Sequence, residues 1–520
     1  MREIKKILIA NRGEVVKRIV QAAKEMGKKT VALCPQKGDE KNFPEVFFAD
    51  EYYFLGEEGI SGFLNQKKIV EIAKKARVDA LHPGYGFLAE NADFAKLCEI
   101  NGIKFLGPKP ETIKTLGNKI LAKKIAKKLK IPVIEGGERP ITNEKELFSG
   151  IKKVGFPFIF KAANGGGGRG MTIVEKKEKS KIKEIFEKLS REMETSFGSK
   201  EIFMERFIKN PHHIEFQILG DGKGKALCLY ERECSIQRRH QKLIEEAPSP
   251  FLSRKEREKI KGIALKIAKY IKYKSAGTIE FLVDEEKNFY FLEVNPRLQV
   301  EHPVTEKITG VDIVKEQIKI AETEELSFSQ KDIKLSGHAI EFRINAEDPF
   351  SDFLPSLGKI EKIEIPCGKG IEIHTFLKEG VEILPYFDSL IMKIVIYGSE
   401  REEVIERAKM ALSELKIKGT KTTLPLFLII LENEKFKKGI YTTEFLKKEK
   451  NFLKKEMRKM KKEFGKESFI SKEIDKKEIA KILARIYFEL KKEKDFSKKE
   501  ISLWQKEKIF SQMRDEFYEI

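Results

Sequence analysis

Two short apolar stretches separated by a polar turn stand out along the chain. Gly277-Thr278-Ile279-Glu280-Phe281-Leu282-Val283 and Phe289-Tyr290-Phe291-Leu292-Glu293-Val294 read as strands. Asp284–Asn288 between them is turn-prone, so the pair predicts a hairpin. If its pairing is symmetric, Glu280 faces Glu293. At the N-terminus, Lys6–Ala10 predicts a strand, Asn11-Arg12-Gly13-Glu14 a turn, and Val15, Ile19, Ala22 and Ala23 the apolar stripe of a helix. A strand at Thr30–Leu33 follows, and strand–turn–helix–strand predicts a small parallel α/β domain. A charged helix is expected near Asn118–Lys130, ending before Pro132, with longer helices at 253–271 and 312–321. Ile479, Ile482, Leu483, Ile486 and Leu490 mark one amphipathic helix in the tail.

Composition narrows the class. With 520 residues the chain can build three or four domains. No apolar run of about 18 residues predicts a membrane span, and the start shows no signal-peptide core. Five cysteines (34, 98, 228, 234, 367) without a CxxC spacing suit free thiols in the cytoplasm. The formal charge is +20, but Lys and Glu are interspersed and no aromatic–basic stacking motif accompanies them. A solvated surface is therefore the stronger reading than nucleic-acid binding. Residues 447–520 differ: they hold 23 Lys+Arg against 15 Asp+Glu.

The facing glutamates carry the first chemistry. Like charges directly opposite on a hairpin repel, and in apolar runs each unpaired charge is costly. A divalent cation resolves both problems. Asn295 extends the same face, and Glu280, Glu293 and Asn295 are hard oxygen ligands suited to Mg²⁺ (or Mn²⁺) shared with phosphates. A solvent-facing edge with lysine partners is the bland alternative. Phe158–Met171 is a strand running into a glycine run, Asn164-Gly165-Gly166-Gly167-Gly168-Arg169-Gly170. Glycines let backbone N–H groups approach phosphate oxygens, and Lys161 on the strand reaches the same region; the GxxxxGK[ST] pattern is absent. His213 and Glu215 share a strand face, which could seed a zinc site only with a third ligand. The dense polar run Glu231–Lys242 reads as surface loop, and Arg343 sits alone between apolar neighbours, as a buried structural ion pair often does.

The ordered set IANRGE, HPGYGFL, KAANGGGGRGM, SIQRRHQK, GTIEFL, EVNPRLQVEHPVTE and EFRINAEDP resembles biotin carboxylase, the ATP-grasp component of biotin-dependent carboxylases, over residues 1 to about 447. The wording NPRLQVEHPVTE is most similar to the separate-subunit, pyruvate-carboxylase and acetyl-CoA-carboxylase branch. The resemblance implies a mixed α/β and α+β fold. Its parts are a Rossmann-like N-terminal domain (1–118), an ATP-grasp hinge and glycine-rich lid (119–206), an ATP-grasp core with the metal hairpin (207–335), a C-terminal mixed α+β domain (336–447) and an extra basic helical tail (448–520). It implies that Lys119, Lys161, Gly167 and Gly168 contact ATP phosphates. Glu205, Arg206, Phe207 and Ile208 hold adenine, with His213, Gln237 and His240 nearby. Glu280, Glu293 and Asn295 bind Mg²⁺; Lys242, Arg297 and Val300 hold bicarbonate; Glu301 is the general base and Arg343 contacts biotin.

The implied activity is ATP- and bicarbonate-dependent carboxylation of biotin through carboxyphosphate. No Ala-Met-Lys-Met appears, and Ala408-Lys409-Met410 falls in a helix, so biotin is expected on a separate carrier protein, with a carboxyltransferase as the further partner. A homodimer or larger assembly is expected. Arg18 matches a dimer-contact residue, while Lys369 and Glu372 replace others. Gly117-Asn118-Lys119 stands where the family usually shows Gly-Asp-Lys. Two readings compete with this one: a non-catalytic protein that keeps the fold for assembly, and another ATP-grasp ligase of the carbamoyl-phosphate-synthetase type. The Arg343 strand and the RRHQK loop disfavour the latter.

Overall fold

The computed structural model describes residues 3–137, 139–162, 171–197 and 201–464. The glycine run with Gly167 and Gly168, the Ile479–Leu490 stripe and Trp504 lie outside these residues.

The first unit is a five-stranded parallel sheet, β1 (Lys6–Ile9), β2 (Lys29–Cys34), β3 (Glu51–Phe54), β4 (Ala80–His82) and β5 (Lys104–Phe105), in the order β3-β2-β1-β4-β5. Helix α1 (Glu14–Glu25) follows β1 and buries Val15, Val16, Ile19, Val20, Ala22 and Ala23. The IANRGE and HPGYGFL motifs meet here. Asn11 Nδ2 donates to the carbonyls of Pro83 and Tyr85, each at 2.7 Å. Gly84 has φ +64°, and a Cβ on it would lie 2.7 Å from Asn11 Nδ2. Glycine is therefore required by both conformation and space.

The expected helix near Asn118–Lys130 forms as one helix, Lys119–Lys128, directly behind a separate one. Pro110–Gly117 ends at Asn118, which then caps α2 (Lys119–Lys128) by accepting from the N–H groups of Ile120 and Leu121 at 3.0 Å. An Asn caps as well as an Asp, so the departure from Gly-Asp-Lys keeps the helix start that presents Lys119. Beyond it, β6 (Phe158–Ala162), β7 (Met171–Val174) and β8 (Ile202–Arg206) form a small antiparallel sheet in the order β7-β6-β8.

The centre is an eight-stranded sheet made of β9 (His212–Asp221), β10 (Ala226–Arg238), β11 (Gln241–Ala247), β12 (Lys274–Val283), β13 (Phe289–Asn295), β14 (His338–Asn345), β15 (Ile371–Thr375) and β16 (Leu390–Gly398). Their order is β13-β12-β9-β10-β11-β14-β16-β15, every pair antiparallel. One sheet thus runs from the β12–β13 hairpin into the C-terminal part. The polar run Glu231–Lys242 is not a surface loop: it is the end of β10 and the start of β11, with Glu231, Arg232 and Glu233 buried. Their charges are tolerated because partners from other elements meet them, Glu215 at Arg232 and Arg257 at Glu231. Helices α3 (Arg254–Tyr270), α4 (His302–Thr309), α5 (Arg401–Glu414), α6 (Leu424–Glu432) and α7 (Phe445–Lys448) are among those that cover the sheets. The chain then continues past 448 as α8 (Lys450–Phe464).

Candidate active site

Hairpin β12–β13 places Glu280 opposite Glu293 and Thr278 opposite Asn295. The pairing is symmetric up to Glu280; a register shift between Glu280 and Phe281 then moves the remaining pairs by one. Glu280 is buried and ringed by donors. Its Oε2 accepts from His213 Nε2 at 2.9 Å, and its Oε1 from Asn295 Nδ2 at 2.8 Å and Lys242 Nζ at 3.1 Å. Glu293, on the edge strand, pairs with Lys119 at 3.3 Å. Burial works to raise the Glu280 carboxyl, but Lys242 and His213 overcome it and hold Glu280 below the usual carboxylate range. The lysine-partner reading of the two glutamates thus describes their contacts here. The residues still fit Mg²⁺: two facing carboxylates offer hard oxygens, and their lysine partners carry the positive charge a cation would share.

His213, Glu215 and Glu280 also approach one another, their ligand atoms all within 4.8 Å. The third ligand absent from the local sequence is supplied by a neighbouring strand. Lys242 bonds both Glu215 (2.5 Å) and Glu280, and Arg232 pairs with Glu215, so cations of this chain already meet both carboxylates.

Glu301 is the hub of the site. It is fully buried, stands at the start of α4 and lies between two cations. Its Oε1 accepts from Lys242 Nζ at 2.6 Å and its Oε2 from Arg343 at 2.8 Å. Burial would raise this carboxyl, yet Lys242 and Arg343 hold it well below the ordinary value. Arg343 also pairs with Glu245, whose own carboxyl burial pushes up to about 7 despite that partner. Arg343 is therefore an ion-paired side chain, as its apolar neighbours suggested, and also one that reaches the site. Arg297 bonds Glu90 Oε1 at 2.6 Å and Gln299 Oε1 at 2.8 Å. It thereby ties the N-terminal unit to the loop before Glu301.

At the other end, Lys161 on β6 bonds Glu205 Oε2 at 2.6 Å, and Lys123 on α2 pairs with the other oxygen. Burial opposes ionisation of Glu205, but the two lysines hold its carboxyl down at about 2. His240 is held below the usual imidazole range by burial, with Lys161 and His213 adding to it. Every predicted site residue among the described residues, from Lys119 to Arg343 and including Arg206, Phe207, Ile208, Gln237 and Val300, lines one open cleft of about 2340 Å³.

Sequence reasoning missed several members. Lys123 lies one helical turn beyond Lys119, a spacing that could have found it. Arg232 and Glu90 arrive from distant parts of the chain and carried no local signal of a site role, while the sequence marks Glu215 only as a zinc seed beside His213. Lys393 on β16 is fully buried; its Nζ donates to the Val300 carbonyl at 2.7 Å and pairs with Glu14 at 3.1 Å. It fixes the backbone one residue before Glu301.

A small antiparallel sheet and a larger one that line one cleft, with paired carboxylates on a hairpin and lysines from the smaller unit in the same cleft, define an ATP-grasp ligase. Three family profiles match in order: Biotin carboxylase, N-terminal domain, over residues 3–113; Carbamoyl-phosphate synthase L chain, ATP binding domain, over 118–329; and Biotin carboxylase C-terminal domain, over 341–448. The 2-oxoglutarate carboxylase small subunit of Hydrogenobacter thermophilus is 45% identical over 442 residues, 85% of this chain and 93% of that protein. Biotin carboxylase 1 of Bacillus subtilis is 44% identical over 445 residues, 85% of this chain and 98% of that one. Among solved structures, the biotin carboxylase domain dimer of the Hydrogenobacter enzyme, in complex with MgADP, ADP and bicarbonate, superimposes with TM-score 0.83 at 43% identity, covering 87% of this chain and 99% of that one. The chain belongs to the biotin carboxylase family.

Proposed function

We propose that this protein carboxylates biotin on a separate carrier protein, using ATP and bicarbonate, as the biotin carboxylase subunit of a multi-subunit carboxylase. The observation that carries the reading is Glu301 held between Lys242 and Arg343. A base for bicarbonate has to be ionised, dry and beside cations that can take over the dianion it creates. Glu301 meets all three conditions. As Lys242 turns towards the substrate oxygens, Glu301 loses the contact that depresses its carboxyl, so its proton affinity rises when a proton is to be accepted.

The remaining roles are those the family resemblance implies, and the shared cleft supports them. Arg297 and the Val300 backbone hold bicarbonate against Lys242. Lys119 and Lys161 neutralise phosphate oxygens, and Glu280, Glu293 and Asn295 hold Mg²⁺, which supplies charge neutralisation to the transferred phosphoryl group when bound. Glu205 to Ile208, with Gln237 and His240, form the adenine end. Arg343 stabilises negative charge on the biotin ureido oxygen once Glu301 is protonated. The partners are a biotin carboxyl carrier protein and a carboxyltransferase subunit. The latter selects the final acceptor, pyruvate, an acyl-CoA or 2-oxoglutarate, so the co-purifying protein identifies it.

The test is ADP release in degassed buffer with Mg²⁺ and free biotin, with and without added bicarbonate. The expected outcome is ATP cleavage that requires bicarbonate and is stimulated by biotin. Cleavage indifferent to bicarbonate would overturn the assignment.

A further inference from the structure

Helix α8 begins at Lys450, beyond the C-terminal family match, which ends at 448. It is docked on the molecule. Leu453 is buried, and Phe452, Met457 and Met460 pack against the C-terminal core that contains Phe427, Ile430 and Phe445. This apolar seam sets the helix rotation. Lys450, Lys454 and Arg458, each four residues from the next, then share one face, and all three line the catalytic cleft. All three are exposed, and none makes an ion pair among the described residues. The acidic residues of the same segment are engaged elsewhere: Glu444 with Lys447, Glu449 with Lys435 and Glu456 with Lys459. Three uncompensated cations therefore stand in a row at the cleft.

The root of this helix lies at the adenine end. Thr443 N donates to the Pro211 carbonyl at 3.0 Å, two residues before His213, and the Glu444 carboxylate is close enough to His240 to act on it electrostatically. We propose that Lys450, Lys454 and Arg458 form a cationic rim of the nucleotide entrance that attracts the polyphosphate of MgATP. This rests on the reading that the cleft binds ATP. Clefts lined by one sign of charge raise the local concentration and capture rate of an oppositely charged substrate, and salt abolishes the effect.

The experiment uses the full chain carrying K450E/K454E/R458E, with K450Q/K454Q/R458Q as a milder set. Lys455→Glu is the control: the same helix and sign of change, on a residue that does not line the cleft. Thermal melting confirms that α8 remains docked, since Leu453 and Met457 are untouched. At low ionic strength, the reversal is expected to lower kcat/KM for MgATP about tenfold, through KM. The gap should close at high salt, with an intermediate loss for the glutamine set and none for the control. Equal kcat/KM and salt dependence in all variants would overturn the rim. So would a loss confined to carboxylation of the carrier protein with free-biotin turnover intact, which would assign the row to an acidic carrier surface. A protein lacking bicarbonate-dependent ATP cleavage before any substitution would instead defeat the functional assignment.

Discussion

At the level of single residues, the site works by placing charges where burial alone would forbid them. Glu301 stays ionised because Lys242 and Arg343 outweigh desolvation. Glu301→Gln removes the proposed proton acceptor but keeps volume and some hydrogen bonding. Bicarbonate-dependent turnover is expected to fall by about 10²–10⁴, while nucleotide binding at the Glu205 end survives, as equilibrium binding of ADP would show. Near-normal turnover would move the base elsewhere. Arg343→Ala is expected to reduce biotin carboxylation more than ATP cleavage; an equal loss of both would count against a role at the ureido oxygen. Lys393 acts at one remove. Lys393→Met leaves the Val300 carbonyl and Glu14 without their cation, so KM for bicarbonate should rise more than KM for MgATP if Lys393 positions that loop. Parallel changes in both would reduce it to a structural residue.

Elements are tied together by a second buried ion cluster away from the chemistry. Glu246 on β11 accepts from His338 Nε2 at 2.6 Å on β14, from Arg401 Nε at 2.7 Å at the start of α5, and from Tyr441. Burial opposes its ionisation, yet Arg401 and His338 lower its carboxyl to about 2 from an ordinary 4.5. A carboxyl depressed on folding stabilises above its unfolded value, and that stability is lost as pH falls towards the folded one. Wild-type stability should therefore drop between about pH 5 and pH 2. Glu246→Gln is expected to cost about 3 kcal/mol at neutral pH and to flatten this acid limb. Denaturant unfolding at several pH values checks both, and an unchanged acid limb would remove Glu246 from the account.

For the molecule as a whole, assembly is the open design question. Arg18, which matches a dimer-contact position, is spent within this chain: it pairs with Glu306 at 2.9 Å and Asp312 at 2.8 Å. Glu372 likewise pairs with Lys307 and with His374 (2.6 Å). The apolar stripe Ile479–Leu490 and Trp504 carry the anchoring chemistry of a docking segment. Because α8 is packed on the C-terminal core, the informative cut is after Phe464. Removing residues 465–520 is expected to leave bicarbonate-dependent ATP cleavage in place and to weaken self-association or capture of the carrier and transferase subunits, measured by size-exclusion chromatography and pull-down. Retention of every contact would refute a docking role, and loss of salt-sensitive nucleic-acid binding alone would favour a basic arm.

The sequence by itself determined what depends on neighbours along the chain. Two apolar strands around a polar turn set the Glu280–Glu293 pairing, and alternation at the N-terminus specified a parallel α/β unit. The ordered motifs identified the ligase and most of its cleft. Tertiary structure decided everything that depends on which charges meet. The run Glu231–Arg232–Glu233 reads as surface because isolated charges belong in water. It is core because Glu215 and Arg257, from other elements, neutralise it there. Lys242 serves three carboxylates on β9, β12 and the start of α4, and Lys393 holds a loop 93 residues away. Coulomb energy in a dry interior depends on distance through space, and no local pattern of residues encodes that distance.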